Sequence, residues 1–243
     1  MSDIQPTNFS PPTPVSRDDR FSGEKRMRWI ELGLVLLLAI APSLLSGIYL
    51  LIYGPPSLQQ PGLRWWGGTL HETTALLVLW YVLTRSGRNF ADLGLGWSLR
   101  DIGVGILVAL VARVFYIFGG SAVQFIYLSI FGAFASAPKA TAFFPMRSWQ
   151  AIPYHLLSPI YEELIVRAYL MTEIRALTGS VTLAVIVSWA LQTAYHLYYG
   201  WVGALSIGFV FLAFSLYYAK WQRALPTIVA HEILNLYAVW RLV

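Results

Sequence analysis

The feature that most limits the fold of this sequence is a series of apolar blocks about as long as a bilayer is thick. A hydrocarbon core of about 30 Å takes roughly 20 apolar residues of helix. The stretch 30–53 is one such block, and 202–219 lies near the lower limit. Charged residues make up 12% of the chain against a 57% hydrophobic share. A soluble domain averages about 25% charged, so this chain has too little polar surface to cover a water-soluble particle. The sequence therefore predicts an integral, multi-pass membrane protein.

Eight apolar segments can be read, at about 30–53, 66–84, 102–118, 121–135, 152–175, 181–198, 202–219 and 225–241. Only Gly119 and Gly120 separate the third from the fourth. The expectation is an all-α, polytopic transmembrane helical bundle of about eight helices, or seven if 102–135 forms one long helix. Helices are the default because an open sheet edge leaves backbone groups unsatisfied in lipid. The alternation of short strands that marks a β-barrel is absent, as is the internal repeat of many transporters. Trp29, Trp65, Trp66, Trp97, Trp149, Trp201, Trp221 and Trp240 sit at block edges, where indole rings favour the headgroup level.

Residues 1–28 are polar and contain Pro11, Pro12 and Pro14 followed by Arg17, Arg20, Lys25, Arg26 and Arg28. No cleavable signal peptide is expected, because no short apolar stretch follows the first cations. The reading is a flexible tail over 1–28, N-terminal transmembrane helices over 29–149, and a catalytic transmembrane core over 150–243. The excess of Lys and Arg beside the first span predicts a cytoplasmic N-terminus in a plasma (inner) membrane. With eight helices, Arg85, Arg88, Arg100, Lys139 and Arg147 fall inside and Lys220 and Arg223 outside. Fusing the third and fourth segments brings Lys220 and Arg223 inside and puts Lys139 and Arg147 outside.

The net charge of +5 does not point to nucleic acid. The cations stand in short loops, as topology determinants and as neighbours of membrane lipids. The chain has no cysteine, which excludes disulfides, cysteine-ligated zinc and a cysteine nucleophile.

An ionisable side chain at the centre of a span costs about 2.5–3.5 kcal/mol on insertion scales, so each one calls for a reason. Glu162, Glu163 and Arg167 lie inside the fifth segment. Glu163 and Arg167 are four apart, which stacks them on one helix face as an ion pair. Glu162 sits about 100° round the helix. One carboxylate can then be neutralised while the other faces elsewhere, a division that suits acid–base work; a structural salt bridge beside an end-of-helix carboxylate is the plainer alternative. His196 ends the sixth segment, with Gln192 one turn earlier and able to bond it or a substrate. His231 and Asn235 share one face of the last segment. They can point at a developing oxyanion, ligate a metal, or join helices by hydrogen bonds. Among weaker features, His71, Glu72 and Arg113 are expected to pair across the bundle, Glu232 to face a neighbouring loop, and His155 to sit at a membrane edge. There is no His-Glu-x-x-His, Gly-x-Ser-x-Gly or P-loop.

Glu162-Glu163-x-x-x-Arg167, then His196, then His231-x-x-x-Asn235, resembles the three-motif signature of the CPBP intramembrane proteases. This group, also called the ABI family, includes the Ras-converting type of CAAX prenyl endopeptidase and bacterial relatives. The resemblance covers about 150–243, with a weaker cue at Phe90-Ala91-Asp92-Leu93-Gly94-Leu95. One position departs: Gln192 stands where the second motif usually has Phe. The resemblance implies that Glu162 activates a water with help from His196, and that Glu163 and Arg167 hold the helix geometry. It implies that His231 and Asn235 stabilise the oxyanion, with Gln192 shaping the pocket. Glu162, His196 and His231 are also candidate ligands for a catalytic Zn2+, since the family has been described as both metallo- and glutamate-dependent. The implied partner is a peptide or a lipidated protein, prenylated at its C-terminus or of bacterial envelope type. Two other readings stay open: a non-catalytic membrane partner or immunity-type protein using the same polar cavity, and a proton-coupled transporter. Oligomeric state is not legible in the sequence.

Overall fold

Each apolar block becomes helix, because a backbone in lipid can satisfy its polar groups only within the segment. A computed structural model describes residues 17–54, 61–132 and 149–240. The helices are α1 (Arg17–Ala39), α2 (Ala41–Tyr53), α3 (Pro61–Arg85), α4 (Leu99–Phe131), α5 (Ala151–Glu162), α6 (Leu170–Thr178), α7 (Val181–Tyr195), α8 (Gly200–Trp221) and α9 (Ala224–Trp240). A π-helical stretch, Glu163–Tyr169, joins α5 to α6, and a 3-10 turn, Leu197–Tyr199, joins α7 to α8. No strand occurs among the described residues, and the all-α class holds.

Two readings of helix ends are refined. Residues 17–28, read as flexible tail, are the first turns of α1. No proline lies between Arg17 and Ala39 to stop the helix, and Arg28 is held by a 2.8 Å ion pair to Glu173. The third and fourth segments form a single 33-residue helix, α4, with no break at Gly119-Gly120. Those glycines serve contact instead: a Cβ on Gly119 would collide with the Phe209 ring, and Gly120 faces Ser206, both on α8. Small residues let helices approach closely in lipid. The fused reading of 102–135 is therefore the one that holds over the described part. It brings Lys220 and Arg223 to the same end as Arg100, where Arg223 pairs with Asp101 at 2.5 Å. Lys139 and Arg147 lie outside the described residues.

The first block is broken at Ile40, where α1 and α2 meet at 43°. Pro42, in the first turn of α2, has no N–H to give the preceding turn. The Ala39 carbonyl at the break accepts from the Tyr161 hydroxyl at 2.5 Å and from His71 Nε2 at 2.9 Å.

α4 and the stretch Leu197–Trp221 are long and apolar enough to cross a membrane, and the bent α1–α2 pair passes as one broken span. Leu37, Leu45, Leu107, Phe118 and Phe125 are exposed on the outside of the bundle, an arrangement that suits lipid rather than water. Inside, one apolar cluster joins α1 and α3 to the π-helical stretch, and a second joins α4, α8 and α9. The 29–149 and 150–243 parts thus pack into one bundle. One end of it is laced by ion pairs: Glu173 takes Arg28 and Arg88, at 2.8 and 2.5 Å, and Arg85 pairs with Glu31 at 3.5 Å.

The close α4–α8 contact gives a prediction. Gly119→Leu is expected to destabilise the protein in detergent by about 1–3 kcal/mol through overpacking. Gly103→Leu, on the same helix with open space around it, should leave the unfolding midpoint near the wild-type value. Equal midpoints for the two variants would refute the packing assignment.

Candidate active site

Segment five has its polar core where α5 passes into the π-helical stretch. Pro159 lies inside α5 and removes one backbone donor. The seven residues after the end of α5, Glu163–Tyr169, take the wider π turn, a form found mostly as short insertions at functional positions. Arg167 is fully buried and Glu163 with it. Arg167 Nε donates to Glu163 Oε2 at 3.2 Å, so the ion pair read from the spacing is present. One terminal nitrogen of Arg167 donates to Ser188 Oγ at 2.6 Å and to Ser215 Oγ at 2.7 Å. Ser188 in turn donates to the Val166 carbonyl at 2.7 Å, and Ser215 to the Phe211 carbonyl at 2.9 Å. His231 Nδ1 lies 3.0 Å from the other Glu163 oxygen. An ionised carboxylate can only accept, so Nδ1 is the donor. The arginine thus joins the π-helical stretch to α7 and α8, and Glu163 extends the network to α9.

Glu162, one residue earlier, points elsewhere, into a cavity of about 280 Å³. Gln192 Nε2 and the Tyr195 hydroxyl donate to its Oε2 at 2.7 and 2.8 Å, and Ser158 Oγ lies 3.3 Å from Oε1. His196 lines the same cavity. Its Nδ1 donates to the Gln192 carbonyl at 2.8 Å, because a carbonyl can only accept. Nε2 is left as the nitrogen available to a proton or a substrate. Gln192, at the position that departs from the expected motif, bonds Glu162 with its side chain and His196 with its backbone. Gly47 lets α2 close over this corner: a Cβ there would come 2.8 Å from the Tyr195 carbonyl oxygen.

His231 and Asn235 are not among the residues lining the cavity. His231 packs against Phe214 and Phe211, and the Phe211 ring also meets His196, with centroids 4.6 Å apart. Asn235 is half-buried one turn beyond. The structure therefore brings Glu162 and His196 together at the cavity and holds His231 against Glu163 behind Phe211. A zinc site on Glu162, His196 and His231 does not fit this arrangement. Among the described residues no three His, Asp or Glu side chains converge as ligands, and both Glu162 oxygens have side-chain partners.

Several functional neighbours escaped the sequence reading. Tyr195 and Ser158 bond Glu162, and their signal was spacing: Ser158 is one turn before Glu162, and Tyr195 is three residues after Gln192. Ser188 and Ser215 were polar residues inside apolar spans, the same anomaly that singled out the charged ones. Glu72 is 3% exposed, with Oε2 buried and unpartnered, and it lines the Glu162 cavity. The expected pairing of His71, Glu72 and Arg113 is not what the structure has. His71 serves the α1–α2 break, and Arg113 lies over the Tyr116 and Tyr237 rings, 5.1 and 5.3 Å from their centroids. The short stretch at Phe90 is a capped 3-10 turn whose Leu93 carbonyl accepts from the Tyr218 hydroxyl at 3.0 Å.

A carboxylate in a polar cavity beside a histidine, backed by a second carboxylate tied to arginine, is the donor set for water activation. Residues 144–237 match the family model described as Rce1-like, type II CAAX prenyl endopeptidase Rce1-like. This stretch, less than half of the chain, is similar to that family. The Rce1-like segment holds Glu162, Glu163, Arg167, His196, His231 and Asn235, while α1–α4 lie outside the match. The likeness supports a membrane-embedded protease in general terms. No curated protein and no solved structure matches the chain.

Removing Arg167 leaves the Glu163 carboxylate buried without its cation. Arg167→Ala is expected to destabilise the fold by roughly 3–5 kcal/mol, read as a lower unfolding midpoint in detergent. Wild-type thermal stability in that variant would sink the structural role given to the pair.

Proposed function

We propose that this chain is an intramembrane endopeptidase in which Glu162 is the general base that activates the attacking water. The observation that carries the proposal is the division of labour between adjacent carboxylates. Glu163 is bonded to Arg167 and His231, whereas Glu162 faces a polar cavity with His196.

In the proposed step, Glu162 takes a proton from water as the oxygen bonds to the scissile carbonyl carbon. His196, with Nδ1 held by the Gln192 carbonyl, orients that water through Nε2. The carbonyl π electrons move onto oxygen, where the family resemblance would have His231 and Asn235 of α9 donate, although neither lines the cavity. For His231 to donate at Nε2 it must carry both ring protons, an imidazolium that the Glu163 carboxylate offsets. The proton held by Glu162 passes to the leaving nitrogen as the C–N bond breaks, giving a new carboxylate end and a new amine end. No step is routed through a metal. Tyr195 and Gln192 hold Glu162 in place and leave the base one carboxylate oxygen contacted only by Ser158.

A second reading, a non-catalytic partner that binds a peptide in the same cavity, is favoured by one observation: His231 and Asn235 do not line it. The substrate in either case is a peptide at the membrane. A prenylated C-terminal peptide, the class named in the family description, and an envelope-type peptide are the two candidates.

The test compares membrane-protein termini in cells carrying the wild type and cells carrying Glu162→Gln at matched expression. New peptide ends that appear with the wild type alone are expected. Identical termini in both, with any phenotype rescued equally by the variant, would favour the binding role.

A further inference from the structure

The position of the Glu162 cavity along the bundle assigns a side of the membrane to the site, and with it a class of substrate. Its walls come from Leu50 near the end of α2, Arg64 and Trp65 in the first turns of α3, Tyr154 in the first turn of α5, and Tyr198 just past α7. All of these lie at one end of the bundle, where α2 finishes and α3 and α5 begin. Trp66 meets Trp149 there, with ring centroids 5.9 Å apart, as expected at a headgroup level. Glu162 lies deeper, at the last turn of α5.

The opposite end holds the positive charge. Arg28 and Arg88 meet on Glu173, Arg85 on Glu31, and Arg223 on Asp101. Arg100 opens α4 and Lys220 closes α8 at this same end. At the cavity end Arg64 is the Lys or Arg among the described residues. Lys139 and Arg147, outside the described residues, belong to the α4–α5 connection, and Arg241 follows α9. Counting all of these at the cavity end still leaves the excess at the end where α1 begins, which also carries Arg17, Arg20, Lys25, Arg26 and Arg175. A bias of Lys and Arg within short loops sets orientation, with the rich side in the cytoplasm.

A second feature separates the site from a lipid-bearing substrate. A groove of about 710 Å³ lies between α4 and α8 at the basic end, with Val104, Val108 and Phe115 in its wall and Arg100 and Lys220 at its rim. It shares no lining residue with the Glu162 cavity. A hydrocarbon chain seated in that groove would present its peptide at the basic end, away from Glu162.

We propose that the site is fed from the non-cytoplasmic face and acts on a peptide segment of an exported or membrane-anchored protein exposed there, rather than on a lipidated C-terminus presented from the cytoplasm. This inference rests on the proteolytic reading above for its chemistry, but not for its sidedness.

The absence of cysteine makes the test direct. Single-cysteine variants Ser46→Cys in the cavity wall, Trp66→Cys at the cavity end and Ser86→Cys at the basic end are made in the full chain. Each is exposed to a membrane-impermeant sulfonated maleimide in spheroplasts and in inverted membrane vesicles. The proposal expects Ser46→Cys and Trp66→Cys to gain label in spheroplasts, and Ser86→Cys only in inverted vesicles. The reverse pattern overturns it. Ser46→Cys unreactive from both sides, with Trp66→Cys reactive, would mean a cavity closed to water and overturns it as well. Where the termini comparison yields substrates, their new ends should fall in non-cytoplasmic segments, and ends in cytoplasmic segments would contradict the assignment. Labelling that succeeds while termini remain unchanged would refute proteolysis and leave the sidedness standing.

Discussion

The buried ion pair of Arg167 and Glu163 is the interaction on which the rest of this structure depends. Lipid offers no water to an unsatisfied polar group, so a charge inside the bundle must find all its partners in protein. Arg167 finds three on the π-helical stretch, α7 and α8 through Nε and one terminal nitrogen, leaving its other terminal nitrogen buried without a hydrogen bond, and Glu163 adds α9 through His231. Helices in a bilayer gain little from hydrophobic burial against one another, so such bonds and close packing set their arrangement. With Glu163 fully engaged, its neighbour Glu162 is directed to the cavity and held there by groups of α5 and α7.

The cavity is not the product of the Rce1-like segment alone. The matched residues begin after α4, yet Ser43, Ser46, His71 and Glu72 of α2 and α3 form part of the wall. The α1–α2 break is one reason the wall has this shape, since Tyr161 and His71 both serve the Ala39 carbonyl exposed there. The groups proposed as catalytic come from one segment and face a wall from another. Substrate choice is written largely outside the family motifs, which is why they name a reaction more readily than a substrate.

What could be read from the sequence follows the same physics. Block length fixed helices because lipid leaves the backbone no alternative, and the four-residue spacing of Glu163 and Arg167 gave their ion pair. That the polar groups cluster for a reason was legible because each one in a span demands partners. The π turn was not legible, since its seven residues carry no periodicity that differs from α-helix over so short a run. The continuity of α4 was left open at Gly119-Gly120, between one long helix and two, because a glycine pair marks a break and a close helix contact alike, and only Phe209 and Ser206 on α8 decide between them. Ser158 had a signal in its spacing from Glu162 on α5, whereas Tyr195 and Glu72 needed the third dimension to be placed at Glu162 or its cavity, which they reach from two other helices. The same is true of His231, whose spacing from Asn235 suggested a shared target while its Nδ1 bonds Glu163.

The central claim is that two adjacent carboxylates have different duties, Glu163 for structure and Glu162 for chemistry. The most direct measurement is the unfolding midpoint of Glu162→Gln beside that of Glu163→Gln, in one detergent, with the wild type as reference. Both substitutions keep the side-chain shape and remove one charge. The account predicts a clear loss of stability for Glu163→Gln, which strands the Arg167 guanidinium, and a midpoint near wild type for Glu162→Gln. Equal losses, or a larger loss for Glu162→Gln, would make Glu162 a structural residue and contradict the account.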